Sequence, residues 1–119
     1  MAKIVSFKDL IVWQKSHQLT LAIYRCVKNF PRYEEFGLSS QMRRSSSSVP
    51  SVIAEGFKRK SSKDSCHFYN LAQSSLEELK YQLILARDLE YIKKEDFKYM
   101  NGLAEEVSKM LYGWIKTQK

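Results

Sequence analysis

Apolar residues recur at intervals of three and four along four segments of the chain, which predicts four amphipathic helices. The predicted helices span about residues 7–30, 39–57, 63–90 and 94–116, with short connections between them. No segment alternates apolar and polar residues over any length, as a half-buried strand would. Short connections between long helices favour antiparallel neighbours. The pattern therefore predicts an all-α fold, an antiparallel up-down-up-down four-helix bundle that forms a single domain over residues 1–119.

Caps and helix breakers predict where the helices begin and end. Ser6 precedes the first helix as an N-cap, and Pro31 disfavours continuation of that helix. Gly37 lies in the next connection, where it is free to adopt positive φ. Gly56 is a candidate for the exit from the second helix, and Ser62 is the expected N-cap of the third.

The second predicted helix contains a run of four serines, Ser45–Ser48, followed closely by Pro50. Such a run is more typical of a linker, but apolar residues at helical spacing flank it and favour a helix with a small face. These residues are Met42, Val49, Ile53 and Phe57. Pro50 removes one backbone hydrogen bond, and we expect it to bend the helix axis.

Charge is unevenly distributed along the chain. The sequence has 20 basic and 13 acidic residues, a formal net charge of +7. The first 60 residues contain eleven of the basic and four of the acidic residues, so the whole excess lies in that half. Such asymmetry favours a polyanionic partner, a nucleic acid first and an anionic membrane surface second. The alternative is a surface that only keeps the protein soluble.

The densest basic residues bracket the second predicted helix. We interpret them as a phosphate-contacting surface, because arginine suits phosphate oxygens and lysine adds non-directional charge. The candidate residues are Arg43, Arg44, Lys58, Arg59, Lys60 and Lys63. Three nearby aromatic residues could stack on bases, although core packing is favoured for the two phenylalanines. They are Phe57, Phe68 and Tyr69. In the alternative interpretation the cations are a solvated cap, with Glu55 pairing one arginine.

The sequence offers little for catalysis. His17 and His67 lie on different predicted helices without a nucleophile partner, and Cys26 and Cys66 read as small buried apolar residues in a reducing compartment. The acidic doublets lack the Glu-x-x-His repeat of a di-metal bundle, and no glycine-rich phosphate loop is present. We therefore expect no enzymatic activity, no cofactor and no metal.

No apolar stretch is long enough for a signal peptide or a membrane span. The expected location is the cytoplasm, without membrane contact. Two predicted helices have a wider face of apolar and small residues than a monomeric bundle needs to fill its core. Trp13 and Tyr24 widen this face on the first helix, and the serine-rich surface widens it on the second. Extra width favours a homo-oligomer, and the alternative is a thicker core.

Three stretches carry a family resemblance over nearly the whole chain. They are FKDLIVWQKSH at 7–17, SQMRRSSSSVPSVIAEG at 40–56 and QLILARDLEYI at 82–92. The chain resembles the four-helix-bundle family of bacterial rRNA intervening-sequence proteins, which is related to the accessory proteins of diversity-generating retroelements. The VPxxIAEG element is the most specific part of the match.

The resemblance implies a homopentameric ring of antiparallel bundles and association with RNA or DNA through a basic surface. By position, Arg43 and Arg44 match the family's basic pair, and Lys58–Lys60 match its basic exit from AEG. For the retroelement members the resemblance also implies contact with a reverse transcriptase. A second hypothesis is therefore a structural adaptor ring that holds a protein partner of this kind.

Overall fold

A computed structural model of the chain describes residues 3–118. Four α-helices account for most of these residues: α1 (Ile11–Val27), α2 (Leu38–Phe57), α3 (Ser62–Asp88) and α4 (Lys94–Thr117). Two single-turn 3-10 helices, Phe7–Asp9 and Arg32–Glu34, precede α1 and α2, and the described residues contain no strand. The predicted all-α class is confirmed. Met1, Ala2 and Lys119 of the predicted domain lie outside the described residues.

Side-chain bonds between helices define how the bundle is arranged. Along α2 and α3, Ser65 donates to the carbonyl of Gly56, Ser48 and Ser75 share a hydrogen bond, and Ser45 donates to Gln82. Residue numbers decrease along α2 as those of their partners on α3 increase, so α2 and α3 lie antiparallel. Each helix packs on two others, in the closed order α1, α2, α3, α4 and back to α1. The loops at each end of the bundle are therefore brought together in space.

The core lies along the apolar seams that the sequence predicts. Fully buried side chains come from every helix and interdigitate over the length of the bundle, which supplies most of the hydrophobic stabilisation. They include Leu19, Ile23, Met42, Val49, Ile53, Leu76, Leu79, Leu83, Val107 and Leu111.

The first α-helix is shorter than predicted at both ends: the chain takes a 3-10 turn before it, and the helix ends at Val27 rather than at residue 30. Ser6 accepts from the N–H of Lys8 and Asp9 accepts from the N–H of Ser6, which closes a capping box around that turn. These backbone hydrogen bonds, from Ser6 and then Val5, lower the pKa of Asp9. Leu10 is then extended, so α1 begins at Ile11 rather than at residue 7.

The serine run is helical, and its hydroxyls are bonded within the protein. Ser46 and Ser47 donate to carbonyls three residues earlier on α2, and Ser45 and Ser48 bond to α3. Hydroxyls that form hydrogen bonds can be buried at little cost in free energy, and the small volume of the serine side chains lets α2 and α3 approach closely. This explains why a sequence typical of a linker forms a packed helix here.

Pro50 lies within α2, and its missing N–H leaves the carbonyl of Ser46 without its usual helical donor. The hydroxyl of Thr20 on α1 donates to that carbonyl at 2.8 Å and also to the carbonyl of Ser16 at 3.0 Å. Thr20 is only 9% exposed. The hydrogen bond lost to Pro50 is thus replaced from the neighbouring helix, and a bend of α2 at Pro50 stays a prediction.

Replacing Thr20 with valine should lower the free energy of unfolding by about 1–3 kcal/mol, because the buried Ser46 carbonyl loses its donor. Urea denaturation measures the effect. In a Pro50→Ala background, the restored N–H can bond to Ser46, so the same Thr20→Val change should cost less. An equal cost in both backgrounds would contradict this compensation.

The backbone expectations for two glycines and one cap are wrong. Gly37 has φ of −109°, and no described glycine has positive φ. The left-handed residue is Glu90, with φ of 64°, in a Schellman turn that ends α3. Gly56 lies inside α2 rather than at its exit, and the N-cap of α3 is Ser61 rather than Ser62.

Candidate nucleic-acid interface

The structure divides the six predicted basic residues into two groups. Arg43 and Arg44 lie in the first two turns of α2, whereas Lys58, Arg59, Lys60 and Lys63 surround its last turn. At the rise of an α-helix, the fourteen residues from Arg44 to Lys58 span about 21 Å. The two groups therefore face opposite ends of the bundle and do not form one continuous cluster within the chain.

Arg43 is occupied by a contact inside the protein. Its Nη2 donates to the backbone carbonyl of Glu35 at 3.3 Å and lies 3.9 Å from the carboxylate of the same residue. This contact fixes the chain before α2 to the helix surface. Arg44 is exposed and lies within 4 Å of no carboxylate of the described residues. Of the predicted pair, Arg44 is the residue whose guanidinium is available to a ligand.

The second group forms a compact surface that we call the basic end, made of Lys58, Arg59, Lys60 and Lys63. All four side chains are exposed, and none of them forms an ion pair with a carboxylate in residues 3–118. Lys58 is the C-cap of α2, where the helix dipole favours a cation. The predicted pairing of Glu55 with an arginine is absent within these residues. The basic end can therefore offer its charges to anions from solution.

Arg59 is the one member of the basic end with a defined side-chain contact. Its guanidinium carbon lies 4.1 Å from the centre of the Phe68 ring on α3. An arginine stacked on an aromatic ring keeps its N–H donors at the rim, free to bond to phosphate oxygens. Phe68 thus serves as a support for Arg59 rather than as a base-stacking ring.

The other two aromatic candidates belong to the interior. Tyr69 is only 1% exposed and packs against Trp114, with ring centres 6.5 Å apart. Burial raises the pKa of Tyr69 and excludes the ring from stacking on a base. Phe57 packs against the edge of the core. Tyr69 is thus buried, Phe68 carries Arg59 on its ring, and Phe57 is partly buried beside the basic end.

A cavity of about 280 Å³ opens beside the basic end. Arg59, Lys60 and Ser61 line it from the loop between α2 and α3, and Trp114 of α4 and Gln118, the C-cap of that helix, line it from the other side. The last turn of α4 therefore approaches this loop and brings the exposed Lys116 to the same end of the bundle. Lys116 was not among the six basic residues predicted from the sequence, although the predicted antiparallel topology places the end of α4 beside the end of α2.

The histidines and cysteines form no catalytic arrangement in the described residues. His17 is exposed and stacked on Trp13 at 5.3 Å, and His67 contacts the edge of Phe68. No three metal-ligating side chains come together in residues 3–118. Cys26 and Cys66 are free thiols, and burial, followed by the charge of Asp96, raises the pKa of Cys26 to about 11. At neutral pH this thiol is protonated and is a poor nucleophile.

Exposed apolar side chains are numerous on the outer faces of the helices. On α1, Leu21 and Tyr24 are exposed and Trp13 is partly buried. Leu71, Tyr81 and Ile84 of α3 and Tyr99 and Tyr112 of α4 are also exposed. Single exposed apolar residues are ordinary on a protein surface, and a contiguous patch of them would be typical of an interface.

These features define an all-helical bundle with a basic end, and none of the described helices is long and apolar enough to cross a membrane. The family description "23S rRNA-intervening sequence protein" matches residues 8–113. The chain belongs to this family.

A solved structure supports the assignment of the fold. It is a protein of unknown function from the S23 ribosomal protein family of Bacteroides thetaiotaomicron, 30% identical to this chain with a TM-score of 0.81. The match covers 89% of this chain and 99% of that protein. A comparison with curated proteins finds no match.

Proposed function

We propose that this protein is a non-enzymatic nucleic-acid-binding protein that contacts phosphates through its basic end, with little sequence specificity. The observation that carries the proposal is the presence of four exposed cations in one loop and the adjoining helix turns, none paired with a described carboxylate. Unpaired cations on a rigid scaffold bind a phosphate backbone without first breaking internal ion pairs. They carry no base-reading geometry, so specificity is expected to be low.

RNA is the favoured ligand. The family description names an intervening sequence of 23S rRNA, and the chain's net charge of +7 suits any polyanion. The proposal includes a cytoplasmic location, where a bacterial protein would meet ribosomal RNA.

The proposed functional unit is a homo-oligomer, with the pentamer implied by the family resemblance as the expected state. Exposed apolar residues on α1, α3 and α4 support an assembly, because contact between copies would remove them from water. An assembly would also repeat the basic end several times in one particle. Once one copy of the basic end has bound an RNA, the other copies are held near the same RNA at high effective concentration, so several weak contacts give a higher overall affinity.

A salt titration tests the proposed function. A fluorescently labelled RNA hairpin should bind the protein at about 50 mM salt, and the logarithm of the association constant should fall linearly with the logarithm of salt concentration. Four phosphate contacts predict a slope of about −3 to −4 per bound chain. Fluorescence anisotropy measures both quantities. Absence of binding at low salt, or binding that does not change with salt, would contradict the proposal.

The second candidate function is a structural adaptor that holds a protein partner, such as a reverse transcriptase. Three exposed tyrosines on the outer faces favour it, because tyrosine is enriched at protein interfaces: Tyr81, Tyr99 and Tyr112. An assembled protein that ignores RNA in the salt titration but co-purifies with a defined protein would support this function.

A further inference from the structure

The connection between α1 and α2 is held rigidly although it is a surface loop. We call residues 32–37 the aromatic loop. Its backbone is tied by hydrogen bonds from Glu34 to Pro31, from Glu35 to Arg32 and from Gly37 to Glu34. A Cβ on Gly37 would lie 2.7 Å from Oε1 of Glu34, so a larger residue at this position would displace the Glu34 carboxylate.

The two carboxylates of the aromatic loop are both engaged within the protein. Oε1 of Glu34 accepts from the backbone N–H of Leu38, at the start of α2, and Oε2 accepts from the hydroxyl of Tyr91 at 2.8 Å. Because the single proton of the Tyr91 hydroxyl goes to Glu34, the hydroxyl of Tyr33 donates to Tyr91 across their 3.0 Å contact. Glu35 is held by Arg43. Hydrogen bonds therefore fix the position of Tyr33.

Two aromatic rings nevertheless project from this loop into solvent. Phe36 is 95% exposed and Tyr33 is 79% exposed, the highest values among the large apolar side chains of the described residues. Neither ring contributes to the core, so folding alone does not explain their presence. Rings held on a fixed backbone lose little conformational entropy when a ligand covers them.

The surroundings of the rings favour an anionic ligand. Arg32, within the loop, and Arg44, about 9 Å along the axis from the start of α2, are exposed and unpaired with any carboxylate of residues 3–118. The carboxylate of Glu34 accepts two hydrogen bonds, whereas the exposed carboxylate of Glu35 lies 3.9 Å from Arg43, so the negative charge of the loop is compensated in part. Exposed aromatic rings and free guanidinium groups at one end of the bundle match the bases and phosphates of a single strand.

We propose that Tyr33 and Phe36 form a stacking platform for unpaired bases of a single-stranded nucleic acid, with Arg32 and Arg44 on its phosphates. The inference rests on the proposed function and adds to it a preference for unpaired segments. It also assigns a second contact surface, at the end of the bundle opposite the basic end.

The test compares labelled oligouridine of about twelve nucleotides with a blunt RNA duplex of the same length. Phe36→Ala should weaken oligouridine binding about 10-fold and leave duplex binding unchanged, since stacking needs an unpaired base. The salt slope for oligouridine should stay the same, because no phosphate contact is removed. Phe36→Trp should preserve or increase the affinity, whereas Phe36→Leu should lose as much as Phe36→Ala.

Light scattering and circular dichroism on the same variants complete the experiment. Because Phe36 is almost fully exposed, we expect all three variants to keep the helical content and the mass of the unmodified protein. A Phe36→Leu variant that binds oligouridine normally would overturn the platform, as would a Phe36→Ala variant that changes the assembled mass. If the unmodified protein binds neither RNA, the proposed function fails and the platform fails with it. If it binds both equally and Phe36→Ala has no effect, only the platform fails.

Discussion

Gly56→Ala is expected to lower the free energy of unfolding by about 1–3 kcal/mol, although alanine has the higher helix propensity. Gly56 is buried inside α2, and an added Cβ would lie 2.7 Å from Cε1 of Tyr69 and 3.0 Å from Cβ of Phe68. Tyr69 is fixed in the core and cannot move aside easily. Helices α2 and α3 would have to separate near the position where Ser65 donates to the Gly56 carbonyl at 2.8 Å. Urea denaturation measures the loss.

Two glycines of α4 provide matched controls for the Gly56→Ala substitution in α2. Gly102 and Gly113 are both helical and exposed, and an added Cβ at either position meets no atom within 4 Å. The same change to alanine should therefore stabilise each variant by about 0.5–1 kcal/mol, through helix propensity alone. If all three alanine variants shift stability in the same direction, the close approach of α2 and α3 at Gly56 is not what limits this position.

The contrast among these glycines shows where prediction from sequence succeeds and where it stops. Helical periodicity is a property of the chain itself, so the four helices were predictable from the spacing of apolar residues. The role of Gly56 depends on Tyr69, a residue of another helix that only the packed structure brings near. A glycine near a helix end is read most simply as a terminator, and the structure shows a close helix contact instead.

The start of α1 shows a second physical reason for error. Ser6 and Asp9 have the spacing of a capping box, and the same hydrogen bonds close either a 3-10 turn or the first turn of an α-helix. The extended backbone of Leu10 decides between the two, and it accompanies burial of that side chain in the core. Local sequence signals alone do not contain this information.

The candidate site was predictable in composition but not in arrangement. Arg43 and Arg44 are adjacent in sequence, yet about 100° apart around the helix, so one faces Glu35 and the other faces solvent. The path of the loop before α2 determines that difference. Lys116 lies at the same end of the bundle as the basic end because α4 finishes beside the loop that follows α2. Charge counts along the chain identify the residue types, and the topology selects which of them share a surface.

Neutralising the basic end should reduce RNA binding more than any of the single substitutions does. The triple variant Lys58→Gln, Arg59→Gln and Lys60→Gln is expected to weaken binding of the RNA hairpin by on the order of 10- to 100-fold at moderate salt. The salt dependence should become shallower: the magnitude of the slope should decrease by about 3, one unit for each lost phosphate contact. All three side chains are exposed, so the fold should be retained.

A matched variant separates the position of the charge from its total. Replacing Lys93, Lys94 and Lys98 with glutamine removes the same three charges from the end of the bundle that carries the aromatic loop, where these side chains are also exposed. Both triple variants are therefore compared on the blunt RNA duplex, which has no unpaired bases for that loop to stack on. If the basic end is the interface, the matched variant should keep most of its affinity and nearly all of its salt slope, since only long-range attraction is reduced. Equal losses in the two triple variants would show that net charge attracts RNA without a defined site. Fluorescence anisotropy at several salt concentrations distinguishes the two results, because a contact residue changes the slope whereas distant charge mainly changes the rate of association.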